Sequence, residues 1–443
     1  MSSARFTYRT EEDFFAAEER DGVALPYSRD LSPLAARKTI GDSDVTLRNS
    51  LTVHPMEGFD STPDGAPGEL TMRRIRRMAS GGAGLCWIEA TAVVEEGRTN
   101  TGQLWIHEGN LDAFKALAEE AHRLSDGAPV ILQLTHSGRF SKPDNTPRPV
   151  IAYHNPVMNE KMPISPDWPV ISDEELDALP EKFGAAAKMA KDAGFDGADI
   201  KCCHKYLFSE LLSAYSRSGR YGGSFENRTR LFLDAIRAAA VHRDRRFVLA
   251  SRFGPVEMIP HPWGFGMARD GSLTPDWEEP DRLYRLMYDC GIRLVDMTLG
   301  SPYYNPHVNR PYDNGGYEPP EPRLTGVARL IDAAAHMKKT VPGITLIGTG
   351  YSYLRTFAPY VAAGAVGEGM ADAAGFGRMA FAYPDFARDI LEKGALDPAK
   401  ICLTCSQCTA MMRKMHATGC PIRDREVYLP MMKELFPKGG GRS

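Results

Sequence analysis

Short apolar stretches rich in β-branched residues recur along the chain: LTVHP (51–55), GLCWIEA (84–90), PVILQLTH (129–136), GADIK (197–201), FVLASRFG (247–254), RLVDMTLG (293–300), ITLIGTG (344–350) and AVGEGMADAAGFG (365–377). Between them lie segments whose apolar residues return every three or four positions, the period of an amphipathic helix. ELTMRRIRRMAS, LDAFKALAEEAHRL, EELDALPEKFGAAAKMAKDAG, ENRTRLFLDAIRAAAVHR, PDRLYRLMYDCG and RLIDAAAHMKK all read this way, and several stop at a glycine just before the next strand. Eight strand–helix units in succession predict an α/β protein, a (β/α)8 barrel, with an open doubly wound sheet as the alternative.

The extra length falls into a few places. Residues 1–40 form an N-terminal extension, 41–394 the barrel, and 395–443 a short appendage. Two long excursions, 137–172 and 301–322, follow the third and sixth strands. In a barrel those loops lie on the face that carries chemistry. The chain has 53 Lys+Arg against 57 Asp+Glu, a net charge of −4, which gives no reason to expect a nucleic-acid partner. No apolar run reaches the 18–20 residues that cross a bilayer, and the N-terminus lacks a signal-peptide apolar core, so no membrane span and a cytoplasmic location are expected.

Four of the eight cysteines crowd into the appendage as Cys402-x-x-Cys405-x-x-Cys408, then Cys420-Pro421. In a chain with no mark of secretion, clustered thiols point to a metal rather than to disulfides. Three thiolates at intervals of three plus a distant fourth suit the corners of a 4Fe–4S cube. Zinc, which four cysteines also satisfy, is the rival.

With that cluster in view the sequence resembles the Old Yellow Enzyme family of FMN-dependent barrels. It is most similar to the branch of 2,4-dienoyl-CoA reductase and trimethylamine dehydrogenase, in which a 4Fe–4S cluster follows the barrel. The resemblance covers roughly 31–420 and rests on LRNSLTVHPM (47–56), GGAGLCWIEATAV (81–93), LQLTHSGR (132–139), the long stretch 196–231, SRFGP (251–255) and GFGRMAFAYPDF (375–386). It implies a flavin site in which Pro55, Met56 and Ala90 set backbone groups against the isoalloxazine. Gln133 would bond the pyrimidine side, Arg252 would face N1 and O2, and Gly350, Gly377 and Arg378 would hold the phosphate. For the substrate face it implies Lys201, His204 and Tyr206, the last as proton donor. Tyr303, Tyr304 and His307 belong to a substrate-contacting loop. Cys402, Cys405, Cys408 and Cys420 would be the cluster ligands.

Two departures stand out. Lys201 replaces the first histidine of the His-x-x-His/Asn-x-Tyr pattern, and Glu57 stands where many relatives carry a small residue. Glu57 either faces the flavin and substrate or turns away to pair with a cation such as Arg48. The expected function is FMN- and 4Fe–4S-dependent reduction of an activated C=C bond in a conjugated carbonyl compound or CoA thioester. Amine dehydrogenation or demethylation exporting electrons through the cluster is the alternative, and a non-catalytic redox sensor or subunit the second. No G-x-G-x-x-G follows a strand, since Gly348-Thr-Gly350-Tyr-Ser-Tyr lacks the third glycine. The C-terminal FAD/NAD(P)H module of the larger relatives is therefore expected to be absent, and a separate electron-transfer protein or subunit to supply electrons. The expected partners are thus that donor and a small-molecule substrate. A homo-oligomer is also expected, with 1–30 and 422–443 as its contacts.

Overall fold

The computed structural model describes residues 6–437; residues 1–5 and 438–443 of the two end segments lie outside it. Eight parallel strands close into a barrel: β1 (Leu51–Val53), β2 (Leu85–Ala92), β3 (Val130–Thr135), β4 (Gly197–Ile200), β5 (Val248–Phe253), β6 (Ile292–Met297), β7 (Thr345–Gly348) and β8 (Ala373–Phe376). Closure is made by β8 on β1, with Ala374 opposite Leu51 and Phe376 opposite Val53. The major helices that follow these strands are α1 (Glu69–Ala79), α2 (Leu111–Ser125), α3 (Leu179–Asp192), α4 (Phe225–Ala240), α5 (Glu278–Asp289), α6 (Arg323–Thr340), α7 (Ala358–Gly367) and α8 (Phe386–Lys393). This is the (β/α)8 barrel that the alternation predicts.

A ring of side chains from alternate strand positions, including Leu85, Trp87, Ile131, Val248, Leu294, Ile347 and Ala373, fills one end of the barrel. Ile40, Val45 and Leu47 pack beneath it from a small hairpin in which Lys38–Thr39 pairs with Thr46–Leu47. That hairpin runs across the expected 40/41 boundary. Upstream of it, helix Glu11–Asp21 is fastened to the barrel through Phe14, which stacks on Phe357 at 4.8 Å. With the bottom plugged, the open end is the C-terminal one, where the long loops lie. Among the described residues no helix is long and apolar enough to cross a membrane.

One expected strand is corrected. The stretch 365–377 begins inside α7, and β8 starts only at Ala373. α7 (APYVAAGAVG) is buried on nearly every side, so it lacks a polar face and reads as a continuous apolar run. Periodicity alone does not separate such a helix from a buried strand.

Candidate active site

The polypeptide leaves β4 through Lys201-Cys202-Cys203-His204-Lys205-Tyr206. His204 and Lys205 both have left-handed backbones, φ 66° and 60°, costly for non-glycine residues and held here by what surrounds them. The Lys205 ammonium is fully buried and forms an ion pair with Glu257 at 2.5 Å, with further bonds to Ser213 Oγ (2.6 Å) and the Trp263 carbonyl (3.0 Å). This anchor turns Lys201, His204 and Tyr206 into one cleft of about 380 Å³. There the Tyr206 hydroxyl donates to Glu57 Oε1 (3.3 Å) and lies 3.2 Å from the Tyr303 hydroxyl. The Lys201 ammonium rests 3.9 Å from the centre of the Tyr206 ring and 3.7 Å from Glu57 Oε1. Phe140 stacks on Tyr303 at 3.7 Å. Burial, and then the Glu57 charge, hold the Tyr206 phenol well above its usual range. Burial, with Arg252, Lys201 and Arg310 nearby, holds the His204 imidazole well below its own. It is therefore neutral, and the Asn309 amide nitrogen, which donates to Thr298 Oγ1 at 2.7 Å and to the Leu299 carbonyl at 3.2 Å, lies 3.2 Å from its Nε2.

Glu57 is fixed from both sides. The next N–H, that of Gly58, donates to buried Glu89 at 3.1 Å, and the Gly58 carbonyl accepts from Thr418 N at 2.6 Å. Arg48 pairs with Asp126 instead, so Glu57 faces the cleft.

Beneath the cleft two buried carboxylates, on the strands β4 and β6 that flank β5, orient polar groups toward it. Asp199 accepts from Gln133 Nε2 (2.5 Å), Trp87 Nε1 (3.0 Å) and the Arg252 N–H (2.7 Å), while burial pushes its carboxyl up to about 7. Asp296 lies 2.9 Å from His54 Nδ1 and 3.3 Å from Arg252 Nε. Arg252 also donates Nη1 to the Pro55 carbonyl at 3.0 Å, tying β5 to the end of β1.

A second cavity of about 80 Å³ shares Met56, Arg252, Asn309, Arg310 and Arg378 with the cleft and adds His54, Thr349, Gly350, Ser352, Gly375 and Gly377. The main chain is open there: Gly350 has φ 105°, and a Cβ on Gly377 would meet Met56 Sδ at 2.8 Å. Nη1 of Arg310 and of Arg378 are sealed from solvent without a partner. Burial and the neighbouring Arg378 guanidinium push Arg310 down to about 10. A long cleft with a strand-end amide and guanidinium, leading to a glycine-lined hollow with unpaired cations, fits a flavin with a phosphate tail. Gln133 and Arg252 would hold its ring, and Gly350, Gly377 and Arg378 its phosphate.

The cysteine segment docks on the same face. The Cys402 N–H lies 3.4 Å from Met379 Sδ, Leu403 O accepts from Arg355 at 3.0 Å, and Asp424 forms an ion pair with Arg73 of α1 at 2.6 Å and another with Arg77. Left-handed residues Thr404 and Ser406 (φ 49° and 58°) curl the loop so that all four cysteines line one small cavity with Arg378. Cys408 also lines the cleft. All four thiols are free. Among the described residues no three His, Cys, Asp or Glu side chains are disposed to hold a metal ion.

Of the residues expected from sequence, Pro55, Met56, Glu57, Gln133, Lys201, His204, Tyr206, Arg252, Tyr303 and Arg378 line the cleft, and Gly350 and Gly377 line the second cavity. Of those expected at the flavin and substrate faces, three line neither cavity. Ala90 is buried, its carbonyl accepting from Gln103 at 3.2 Å. Tyr304 packs behind the cleft near Lys161. His307 turns away to Tyr317 (2.5 Å) and Glu321 (3.8 Å). Tyr303 and Tyr304 are successive residues of a turn, and His307 lies on the separate helical turn Pro306–Asn309 that follows it. Sequence reasoning missed His54, Asp199, Asp296, Phe140, Asn309 and Arg310. His54 and Asp199 sit inside stretches that carry the resemblance, but nothing local marks them as groups facing a cofactor.

Fold and site together define a barrel enzyme of the flavin-binding kind. Residues 38–265 match the NADH:flavin oxidoreductase / NADH oxidase family, and the chain belongs to it. It is 26% identical over 415 residues to an NADH oxidase of Thermoanaerobacter brockii, across 90% of this chain and 58% of that protein. It is 33% identical over 262 residues to an NADPH dehydrogenase of Listeria monocytogenes, 58% of this chain and 71% of that one. The solved structure of a 2-naphthoyl-CoA reductase in complex with 2-naphthoyl-CoA shares the fold, with a TM-score of 0.72 at 21% identity over 92% of this chain and 58% of its own. The chain thus spans a little over half the length of that oxidase and of that reductase.

Proposed function

We propose that this chain is an FMN-dependent oxidoreductase that reduces the C=C bond of a conjugated carbonyl compound or CoA thioester, with electrons reaching the flavin from a separate donor through a 4Fe–4S cluster held by Cys402, Cys405, Cys408 and Cys420. In this reading 1–40 is an extension, 41–394 the flavin barrel and 395–443 the cluster segment. The observation that carries the polarity is Lys201. An aromatic bowl of Phe140, Tyr206 and Tyr303 with a carboxylate, Glu57, would suit a substrate ammonium, but Lys201 already lies on the Tyr206 ring and beside Glu57. A site that supplies its own cation favours an electron-rich oxygen over an amine.

Bound FMN would supply the hydride acceptor and donor chemistry. The protein's groups then act on the substrate. Lys201 and neutral His204 donate to the carbonyl oxygen as it gains negative charge. Tyr206, kept protonated by its buried setting, gives its proton to the α-carbon. Tyr303 bonds the Tyr206 oxygen and is 41% exposed, so it offers a path for reprotonation from water. Phe140 and Tyr303 cover the cleft as a flat stack that suits a planar conjugated substrate.

What supports the cluster is the number and placement of the four cysteines around one cavity, Cys408 also at the cleft wall; no three of them are disposed to hold a single metal ion. The test is chemical analysis of anaerobically purified protein for iron, sulfide, zinc and FMN, followed by anaerobic turnover of enones and of tertiary amines with dithionite or a dye as the redox partner. About four iron and four sulfide with one FMN per chain, and enone turnover alone, is the expected result. Zinc in place of iron makes the cysteine segment structural; amine turnover without enone turnover reverses the assigned polarity.

A further inference from the structure

Arg310 and Arg378 face the same space without a carboxylate. Arg378, only 8% exposed, donates Nη2 to the Pro311 carbonyl at 2.7 Å, and no described residue forms an ion pair with either guanidinium. Nη1 of each is sealed from solvent and has no partner. A buried guanidinium beside a partly buried one, each with a sealed and unpartnered nitrogen, is tolerated only where anions complete them. The surroundings show where those anions would come from. Arg378 lines the cleft, the glycine-lined hollow and the cysteine cavity alike. Arg310 lines the cleft and the hollow, and Cys408 lines the cysteine cavity and the cleft. The pair therefore stands between the two places at which negative charge would gather.

Resting on the flavin-and-cluster reading above, we propose that Arg310 and Arg378 form a cationic bridge shared by the two cofactor sites, completed on one side by the flavin phosphate and on the other by the thiolate-bound cluster, so that filling one site tunes the other. Arg310 is a positioning residue here. A fixed cation stabilises the more negative, reduced state of a neighbouring cluster and raises its potential. A phosphate dianion on the same cations offsets that pull, so the cluster potential falls when flavin binds, and by linkage reduction of the cluster weakens flavin binding.

The test uses full-length protein, its flavin removed and restored. FMN affinity is read by flavin fluorescence quenching, and the cluster midpoint by dye-mediated titration with and without FMN. Arg310→Gln should weaken FMN binding at least about tenfold, the loss expected for a charged hydrogen bond. It should also lower the cluster potential and shrink the potential shift that FMN causes. Arg310→Lys keeps the charge but not the forked donor geometry: the potential should return toward that of the unaltered protein while FMN affinity stays weakened. If Arg310→Gln does not fold, Arg310→Lys alone carries the test through that split. Full iron content with FMN affinity, potential and shift all unchanged in the variants overturns the bridge and leaves the cluster reading standing. Absence of iron from the unaltered protein overturns both.

Discussion

Replacing Tyr206 by Phe separates chemistry from architecture. The change removes one oxygen from a ring that is 2% exposed and packed among Phe140, Met158 and Ile259. The two bonds lost are long, 3.3 Å to Glu57 and 3.2 Å to Tyr303. Both partners reach water, the Glu57 side chain being 13% and Tyr303 41% exposed, so neither is left orphaned. The cost to stability is about 1 kcal/mol or less. The Lys201 ammonium keeps an aromatic face to rest on. Loss of a general acid, by contrast, costs about 10²- to 10⁴-fold in rate, or roughly 3–5 kcal/mol of barrier. The assay is anaerobic stopped flow: protein reduced with dithionite is mixed with 2-cyclohexenone and flavin reoxidation is followed. The expected outcome is normal FMN content, a melting temperature within a few degrees of the unaltered protein, and reoxidation slowed at least about 10²-fold. Unchanged reoxidation would remove Tyr206 from its role. A fall in FMN content or melting temperature that accounts for the lost rate would show the residue to be structural.

Other substitutions probe separate parts of the site. Lys201→Met should lower kcat/KM for enones at least about 10-fold, since it removes a cation beside the developing oxyanion and leaves Glu57 beside Tyr206 without its partner; steady-state turnover with FMN content as control checks it. Gly375→Ala places a Cβ 2.0 Å from His54 Cε1, so the ring that bonds Asp296 and Thr349 must move; FMN loss and a stability loss of about 2 kcal/mol, read by thermal or denaturant unfolding, are expected. Cys405→Ser should lose iron and retain FMN, because the thiols and the flavin contacts come from different segments; metal analysis decides it. Arg252→Ala removes the guanidinium held by Pro55 O and Asp296, and dye-mediated titration should find the flavin harder to reduce.

The alternation of apolar strands and amphipathic helices, read along one dimension, was enough to specify the barrel, because a parallel strand and its crossover helix leave local periodic marks. It failed at 365–372, where the end of α7 and the turn after it take the place of the expected strand; α7 is apolar almost throughout and carries no polar face to reveal its period. The identity of the cleft's chemical groups was also largely legible: Gln133 and Arg252 lie on barrel strands, and Lys201, His204 and Tyr206 just beyond the end of one. What the sequence left open was direction and company. Whether Glu57 meets Arg48 or Lys201 depends on Glu89 of β2 and Thr418 of the distant cysteine segment, which clamp Gly58 from opposite sides. Tyr303 enters the cleft while Tyr304, the next residue of the same turn, and His307, on the helical turn that follows, leave it. The pairing of His54 with Asp296, and the meeting of Arg310 with Arg378, join residues 242 and 68 positions apart in the chain. Such contacts have no local signature. They arise only when closing the barrel brings the ends of separate strands to one rim, where burial sets the charge state of each group and fixes its partner.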